Sequence, residues 1–298
     1  MSTPLQKPPW LRVRFPSGPQ YEETRRLLRQ GRLHTVCQEA CCPNMFECFS
    51  NHTATFLILG DHCTRNCAFC AVKHGAAPLP DPDEPQRVAL AAKEMQLTYV
   101  VVTSVTRDDL ADGGAGHFAA TIRALRERRA AMRVEVLIPD FQGDPAALRS
   151  VLAAAPDVLN HNIETVPRLY PTVRPEAVYA RSLDLLRAAA AHERRIPTKS
   201  GLMLGLGETE AEIRQTLADL RQAGCRILTL GQYLQPTPAH YPVAAFVTPE
   251  AFARWRREAL AMGFDEVASG PFVRSSYQAQ NAFLHMQGCA KPVPGGTD

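Results

Sequence analysis

The chain has 298 residues, 45% of them hydrophobic and 21% charged, an ordinary globular composition with room for one large α/β domain. Its 33 Lys and Arg against 30 Asp and Glu leave a net charge of +3, too little to imply a nucleic-acid partner. No window approaches the roughly 20 apolar residues of a membrane span, and Met1 to Pro19 carries five prolines without the apolar stretch of a secretory signal, so the expectation is a cytoplasmic protein with an extended N-terminal arm and no membrane partner.

Residues 1–52 show no long strand pattern and read as an N-terminal extension. From residue 53 onward, apolar β-branched runs alternate with amphipathic helical stretches. The runs are Thr53–Gly60, Tyr99–Ser104, Val134–Asp140, Val158–Glu164, Thr198–Gly205 and Arg226–Tyr233. Continuous apolar runs suit strands covered on both faces in a parallel sheet. Helices are predicted over Phe118–Arg129 and Ala177–His192, and Thr209 followed by Glu212 forms a capping-box pattern. Six β-then-α units predict an α/β fold, a partial (β/α)6 barrel of the TIM type over residues 53–233. Thr103, Ser104, Asp140, Asn162, Glu164 and Gln232 fall at the C-terminal ends of the runs, where such sheets bind ligands. Residues 234–298 read as a C-terminal extension with one helix near Pro249–Met262.

Nine cysteines in a reducing compartment are an unlikely disulfide set, and an odd count argues the same way. Seven lie between Cys37 and Cys70, which points to metal; Cys225 and Cys289 are isolated and read as structural or incidental. Cys63, Cys67 and Cys70 form C-x3-C-x2-C directly after the first run. Three thiolates on one loop can hold three corners of an iron–sulfur cube and leave the fourth iron open for a ligand. Phe69 would shield such a cluster. A zinc site completed by His62 or His74 fits the spacing poorly, because structural zinc usually builds on paired C-x2-C knuckles or Cys2His2 spacing. Upstream, Cys37, Cys42 and Cys48 give C-x4-C-x5-C, and Cys41 in place of Cys42 would give C-x3-C-x6-C. Four buried cysteines acting as small hydrophobes would sit badly among Glu, Asn and Pro.

The C-x3-C-x2-C spacing resembles the signature of the radical S-adenosylmethionine (SAM) superfamily. With C-x4-C-x5-C just upstream, the chain resembles the lipoyl synthase family. The stretches CPNMFEC, TATFLILGDHCTRNCAFCAV, VVVTSVTRDDLADGGAGHF, VEVLIPDFQG, PDVLNHNIETVPRLYPTVRP, LGLGETEAE, LTLGQYLQPTPAHYPV and GPFVRSSYQA carry the likeness from residue 37 to about 280. The resemblance implies a [4Fe–4S] cluster on Cys63, Cys67 and Cys70, whose open iron is chelated by SAM. It implies an auxiliary [4Fe–4S] cluster on Cys37, Cys42 and Cys48, with a serine of Arg274-Ser275-Ser276-Tyr277 as fourth ligand: Ser276, or Ser275 as fallback. The implied reaction inserts sulfur at C6 and C8 of a protein-bound octanoyl-lysine, with the auxiliary cluster as sulfur source. A weak hydroxyl ligand suits a cluster that must be dismantled.

Partners implied in the same way are octanoylated lipoyl carrier domains of 2-oxoacid dehydrogenases and of the glycine cleavage H protein, a reductant such as ferredoxin or flavodoxin, and an iron–sulfur cluster carrier. Asn162 and Glu164, on one face of their strand by alternation, are expected to contact SAM, as are Thr103, Ser104 and Arg174. Asn160 on the same face divides evenly between SAM contact and a polar layer filling the barrel. Arg107, Asp108 and Asp109 are expected to form a loop salt-bridge set, and the Gly205–Glu208 turn offers a backbone approach to adenine. Another sulfur-inserting radical SAM enzyme, a biotin synthase or a methylthiotransferase, is the competing reading. The N-terminal cysteine set and Arg-Ser-Ser-Tyr argue against both.

Overall fold

A computed structural model describes residues 6–12, 18–50, 53–286 and 288. Cys289 lies outside these residues. Ten strands occur among them: β1 His34–Thr35, β2 Thr55–Ile58, β3 His62–Cys63, β4 Lys73–His74, β5 Tyr99–Ser104, β6 Arg133–Leu137, β7 Val158–Asn160, β8 Thr198–Leu204, β9 Ile227–Gln232 and β10 Glu266–Gly270. β3 and β4 make a two-residue parallel pair, and the other eight form one sheet in the order β1-β2-β5-β6-β7-β8-β9-β10. Each of the six predicted runs became a strand of this sheet. All neighbours are parallel except β1, which lies antiparallel on β2. The sheet does not close: β1 and β10 are its edges, so the architecture is the open, partial barrel expected.

The parallel order follows from the helices between strands, Glu84–Glu94, Ala115–Arg128, Pro145–Ala153, Tyr179–Ala190 and Glu210–Gln222. Each places apolar side chains such as Val88, Ile122, Val151, Leu186 and Leu217 on the outer face of the sheet and out of solvent. The capping box is present as read, with Thr209 accepting from the Glu212 amide and Glu212 reaching back to the Thr209 amide. The helix read from Phe118 starts earlier, at Ala115, behind Gly114 in the left-handed region at φ 90. A Cβ at Gly114 would lie 2.3 Å from Leu59 Cδ1, so glycine lets the helix start against the end of β2. The described part of the N-terminal arm is not wholly extended. Pro9–Leu11 form a 3-10 turn, and Leu11 is buried.

β10 is a seventh parallel strand that composition did not reveal. After β10 the chain crosses the sheet's open end and forms the helix Ala279–Met286. Its Ala279 and Phe283 pack on Tyr99, Val101, Val158 and Ile227, which line the inside of the sheet near the strand starts. Burying Phe283 there contributes about 2–3 kcal/mol. Above that helix lies a polar layer: Lys199 Nζ is 2.8 Å from Glu135 Oε1, and Tyr99 donates to Glu135 Oε2 at 2.7 Å. Both members of the ion pair are fully buried, so each depends on the other for charge compensation. Among the described residues, no helix is long and apolar enough to cross a membrane.

Candidate active site

Over the polar layer, at the C-terminal ends of the strands, is a cavity of about 520 Å³. Both cysteine sets and the Arg274–Tyr277 segment line it.

The upstream set is braced from below. Tyr21 of the helix Pro19–Gln30 packs its ring against Phe46 and Phe49, with centroids 5.2 and 5.7 Å away. Thr24 donates to the Phe49 carbonyl in the same buried contact. Thr35 caps the short helix Val36–Glu39. Cys37 is thereby buried, while Cys42 and Cys48 are half-buried. Burial pushes the Cys37 and Cys48 thiols up to about 12 and raises that of Cys42 as well. Such thiols become thiolates only when a metal supplies compensating charge.

The C-terminal segment reaches these cysteines through specific contacts. A Cβ on Gly231 would sit 2.1 Å from the Val273 carbonyl oxygen, so glycine at the end of β9 admits the returning chain. Asn44 donates to the Phe272 carbonyl at 2.7 Å, and Tyr277 donates to Glu47 at 3.0 Å. Ser275 accepts from Asn162 Nδ2 at 2.5 Å. The Ser276 side chain lines the cavity and has no hydrogen-bond partner among the described residues.

The second cysteine loop follows β2 and is anchored at the ends of β5 and β6. The Thr106 amide donates to Cys63 Sγ at 3.3 Å, and Thr64 bonds the Thr106 carbonyl. Arg65, only 6% exposed, makes two bonds to Asp108 and one to Asp140 at 2.6 Å. Burial alone would raise the Asp140 carboxyl, but the Arg65 hydrogen bond and charge hold it at about 2. The segment after β9 closes over the loop: the Tyr241 amide donates to the Ala68 carbonyl, and His240 bonds the Cys70 carbonyl. Burial raises Cys67 to about 11 and Cys70 to about 12. Of the expected loop salt bridges, Arg107 does pair with Asp109. Asp108 differs: it anchors the cysteine loop through Arg65, a role that the sequence concealed.

Asn162, Glu164, Thr103, Ser104 and Arg174 all line the same cavity. Asn162 Nδ2 also donates to Glu164 at 3.0 Å, while its Oδ1 is buried without a partner. Glu164 is held at φ 63, and burial raises its carboxyl against the pull of Arg174. Arg174 lies over the Tyr170 ring, 5.2 Å from its centroid, and donates to the Asn162 and Ile163 carbonyls, but its Nε is orphaned. The Ser104 hydroxyl is orphaned too, whereas Thr103 spends its proton on the Leu137 carbonyl. A Cβ on Gly201 would lie 2.8 Å from Asn162 Oδ1 and 2.7 Å from Thr229 Oγ1, so glycine keeps this wall open. Buried polar atoms without partners call for a polar ligand, and a carboxylate beside a guanidinium fits the amino and carboxylate ends of SAM.

Two sequence expectations resolve differently. Asn160 is fully buried in the layer of Leu137, beside Lys199 in the register, and does not line the cavity, so it belongs to the polar filling although its Nδ2 and Oδ1 have no hydrogen-bond partner among the described residues. Gly205 does not line the cavity. Its φ of 99 lets the loop around Ala245 approach, where a Cβ would meet the Ala245 oxygen at 2.4 Å, and Glu208 accepts from the Gly205 and Leu206 amides.

The donor chemistry bears on which metal group fits: each set offers three thiols at short spacing and lacks the paired C-x2-C knuckles or Cys2His2 spacing of structural zinc, as iron–sulfur ligation requires. Among the described residues, the one group of three His, Cys, Asp or Glu ligand atoms within 4.8 Å of one another is His34, Glu39 and Asp61.

The comparisons with known proteins agree. The Radical SAM superfamily matches residues 57–220, and the N-terminal domain of lipoyl synthase matches residues 2–42. The lipoyl synthase of Caldicellulosiruptor saccharolyticus is 56% identical over 275 residues, covering 92% of this chain and 96% of that protein. That of Desulfotalea psychrophila is 58% identical over 277 residues, covering 93% of each.

This chain belongs to the lipoyl synthase family.

It is therefore a radical SAM sulfurtransferase of lipoate biosynthesis, and SAM and a [4Fe–4S] cluster come with the family. Solved radical SAM enzymes share the fold at low identity. Methylornithine synthase aligns with a TM-score of 0.52 at 13% identity, covering 83% of this chain and 77% of that one. Streptococcus suis SuiB bound to S-adenosylmethionine gives 0.54 at 10%, covering 73% and 51%.

Proposed function

We propose that this chain inserts two sulfur atoms, at C6 and C8, into an octanoyl group carried on a lysine of a lipoyl carrier domain. In this reading Cys63, Cys67 and Cys70 hold the SAM cluster, and Cys37, Cys42, Cys48 and Ser276 hold an auxiliary [4Fe–4S] cluster that is the sulfur source. The observation that carries it is convergence: two cysteine triplets and a free serine hydroxyl, from three separate stretches of chain, line one cavity.

When bound, these groups supply what no side chain offers: a primary carbon radical able to break an unactivated C–H bond, and sulfide to take the hydrogen's place. The chain's own residues bind and orient. Glu164 receives the SAM ammonium, and the buried Arg174 beside it balances the negative charge. Asn162 joins both halves of the site, since one amide group serves Glu164 and Ser275. With Ser275 so engaged, Ser276 is the hydroxyl left to face the auxiliary cluster. Leu57, Val105, Leu137 and Ile138 exclude water from the acyl chain.

The substrates are carrier domains of the 2-oxoacid dehydrogenases and the glycine cleavage H protein. A ferredoxin or flavodoxin supplies electrons, a cluster carrier restores the auxiliary site, and the setting is the cytoplasm.

Two triple variants test the assignment. With Cys37, Cys42 and Cys48 all changed to Ala, the chain should keep about four irons and cleave SAM without inserting sulfur. With Cys63, Cys67 and Cys70 changed instead, it should keep the other four and not cleave SAM. Sulfur insertion by either variant would refute the division of labour.

A further inference from the structure

Resting on the reading of this cavity as the octanoyl site, we propose that Leu137 is the stop that sets acyl length, with Leu57 and the Thr103 methyl completing an apolar floor. The register places these three side by side inside the barrel, Leu57 opposite Thr103 and Thr103 opposite Leu137. All three line the cavity. The Thr103 hydroxyl is turned to the Leu137 carbonyl, which leaves its methyl for the floor. Leu57 and Thr103 are buried, whereas Leu137 is half-buried although it points into the barrel, so its free surface belongs to the cavity.

What lies beside and below the floor makes it a stop. Asn160 pairs with Leu137 in the register, and Lys199 with Asn160, in the same layer. Glu135 is two residues before Leu137, one layer down, bonded to Lys199 and Tyr99. None of these four lines the cavity. A longer acyl chain would have to enter this polar layer or displace the leucine.

The chemistry needs such a stop. C8 is the terminal methyl, and an acyl group fixed only at its lysine end would let C6 and C8 slide past the sulfides. Seating the methyl on Leu137 fixes both carbons from the far end.

The test compares octanoyl-, decanoyl- and hexanoyl-lysine peptides on holoenzyme carrying both clusters, by calorimetric affinity and by sulfur insertion. Each buried methylene is worth about fourfold in affinity, so Leu137→Ala should raise the decanoyl-to-octanoyl ratio about tenfold in both readouts. Leu137→Phe should shift preference toward hexanoyl binding. Should Leu137→Ala fail to retain its clusters, Leu137→Val asks the same question with an expected shift of about fourfold. Length ratios unchanged in variants that still cleave SAM would overturn the stop. Failure of the wild type to act on octanoyl peptide would count instead against the proposed reaction.

Discussion

Ser275 and Ser276 are neighbours in sequence with different surroundings. Ser275 is spoken for by Asn162, and Ser276 lines the cavity with no side-chain hydrogen-bond partner among the described residues. Ser276→Ala should therefore cut sulfur insertion at least about tenfold, the scale of losing one oriented metal-site contact, with SAM cleavage retained. Ser276→Cys should keep the cluster iron. Equal insertion by wild type and Ser276→Ala would remove this residue from the ligand set.

His161 invites a different experiment. Burial, with the nearby Arg174 charge second, holds its imidazole down at about 4, while a bond to the Ile138 carbonyl opposes the shift. Its other ring nitrogen meets Ser182. Neutral in the fold and titrating near 6.5 when unfolded, it adds stability that is fully present above pH 6.5. That stability is lost as pH falls from about 6.5 toward 4, by roughly 3 kcal/mol in all. Melting temperature should drop from pH 7 to pH 5 more in the wild type than in His161→Gln, and parallel curves would exclude His161 as the cause.

At the scale of elements, the six barrel strands were legible because each carries a run of buried apolar residues, interrupted mainly where the inward face forms the polar layer of Glu135, Asn160 and Lys199. β10 was not: of Glu266–Gly270 only Val267 is fully buried, and three of the five residues are small. That strand exists because β9 offers it a parallel edge, which no local pattern announces. The segment that follows depends on the same edge. Gly231→Ala should push Val273 away, displace Ser275 and Ser276, and drop bound iron from about eight to about four per chain. SAM cleavage should survive. Full iron retention in Gly231→Ala would show that the close approach does not position the auxiliary site.

Across the whole molecule, the two cysteine triplets were legible as candidate ligand sets because metal chemistry demands thiolates at short spacing, and that signal is local. What supports them was not. Arg65 stands in the sequence as one of three unspecified residues between Cys63 and Cys67, yet it is buried and bonded to Asp108 and Asp140, 43 and 75 residues away. Asn44 and Glu47 likewise looked like polar neighbours of cysteines until the returning chain, 228 and 230 residues on, came to bond with them. The Gly205 turn misled because a glycine-rich turn has the same appearance whether it admits a ligand or another loop.

The central claim is that one cavity holds two clusters and that one of them is consumed as sulfur. The direct measurement is a single-turnover reaction of anaerobically reconstituted protein with SAM, reductant and octanoyl-lysine peptide, following iron, sulfide and peptide mass together. About eight irons are expected at the start, with a peptide that gains two sulfurs and loss of about four irons as product forms. Deoxyadenosine formed with no sulfur on the peptide, or sulfur gained with all the iron retained, would contradict it.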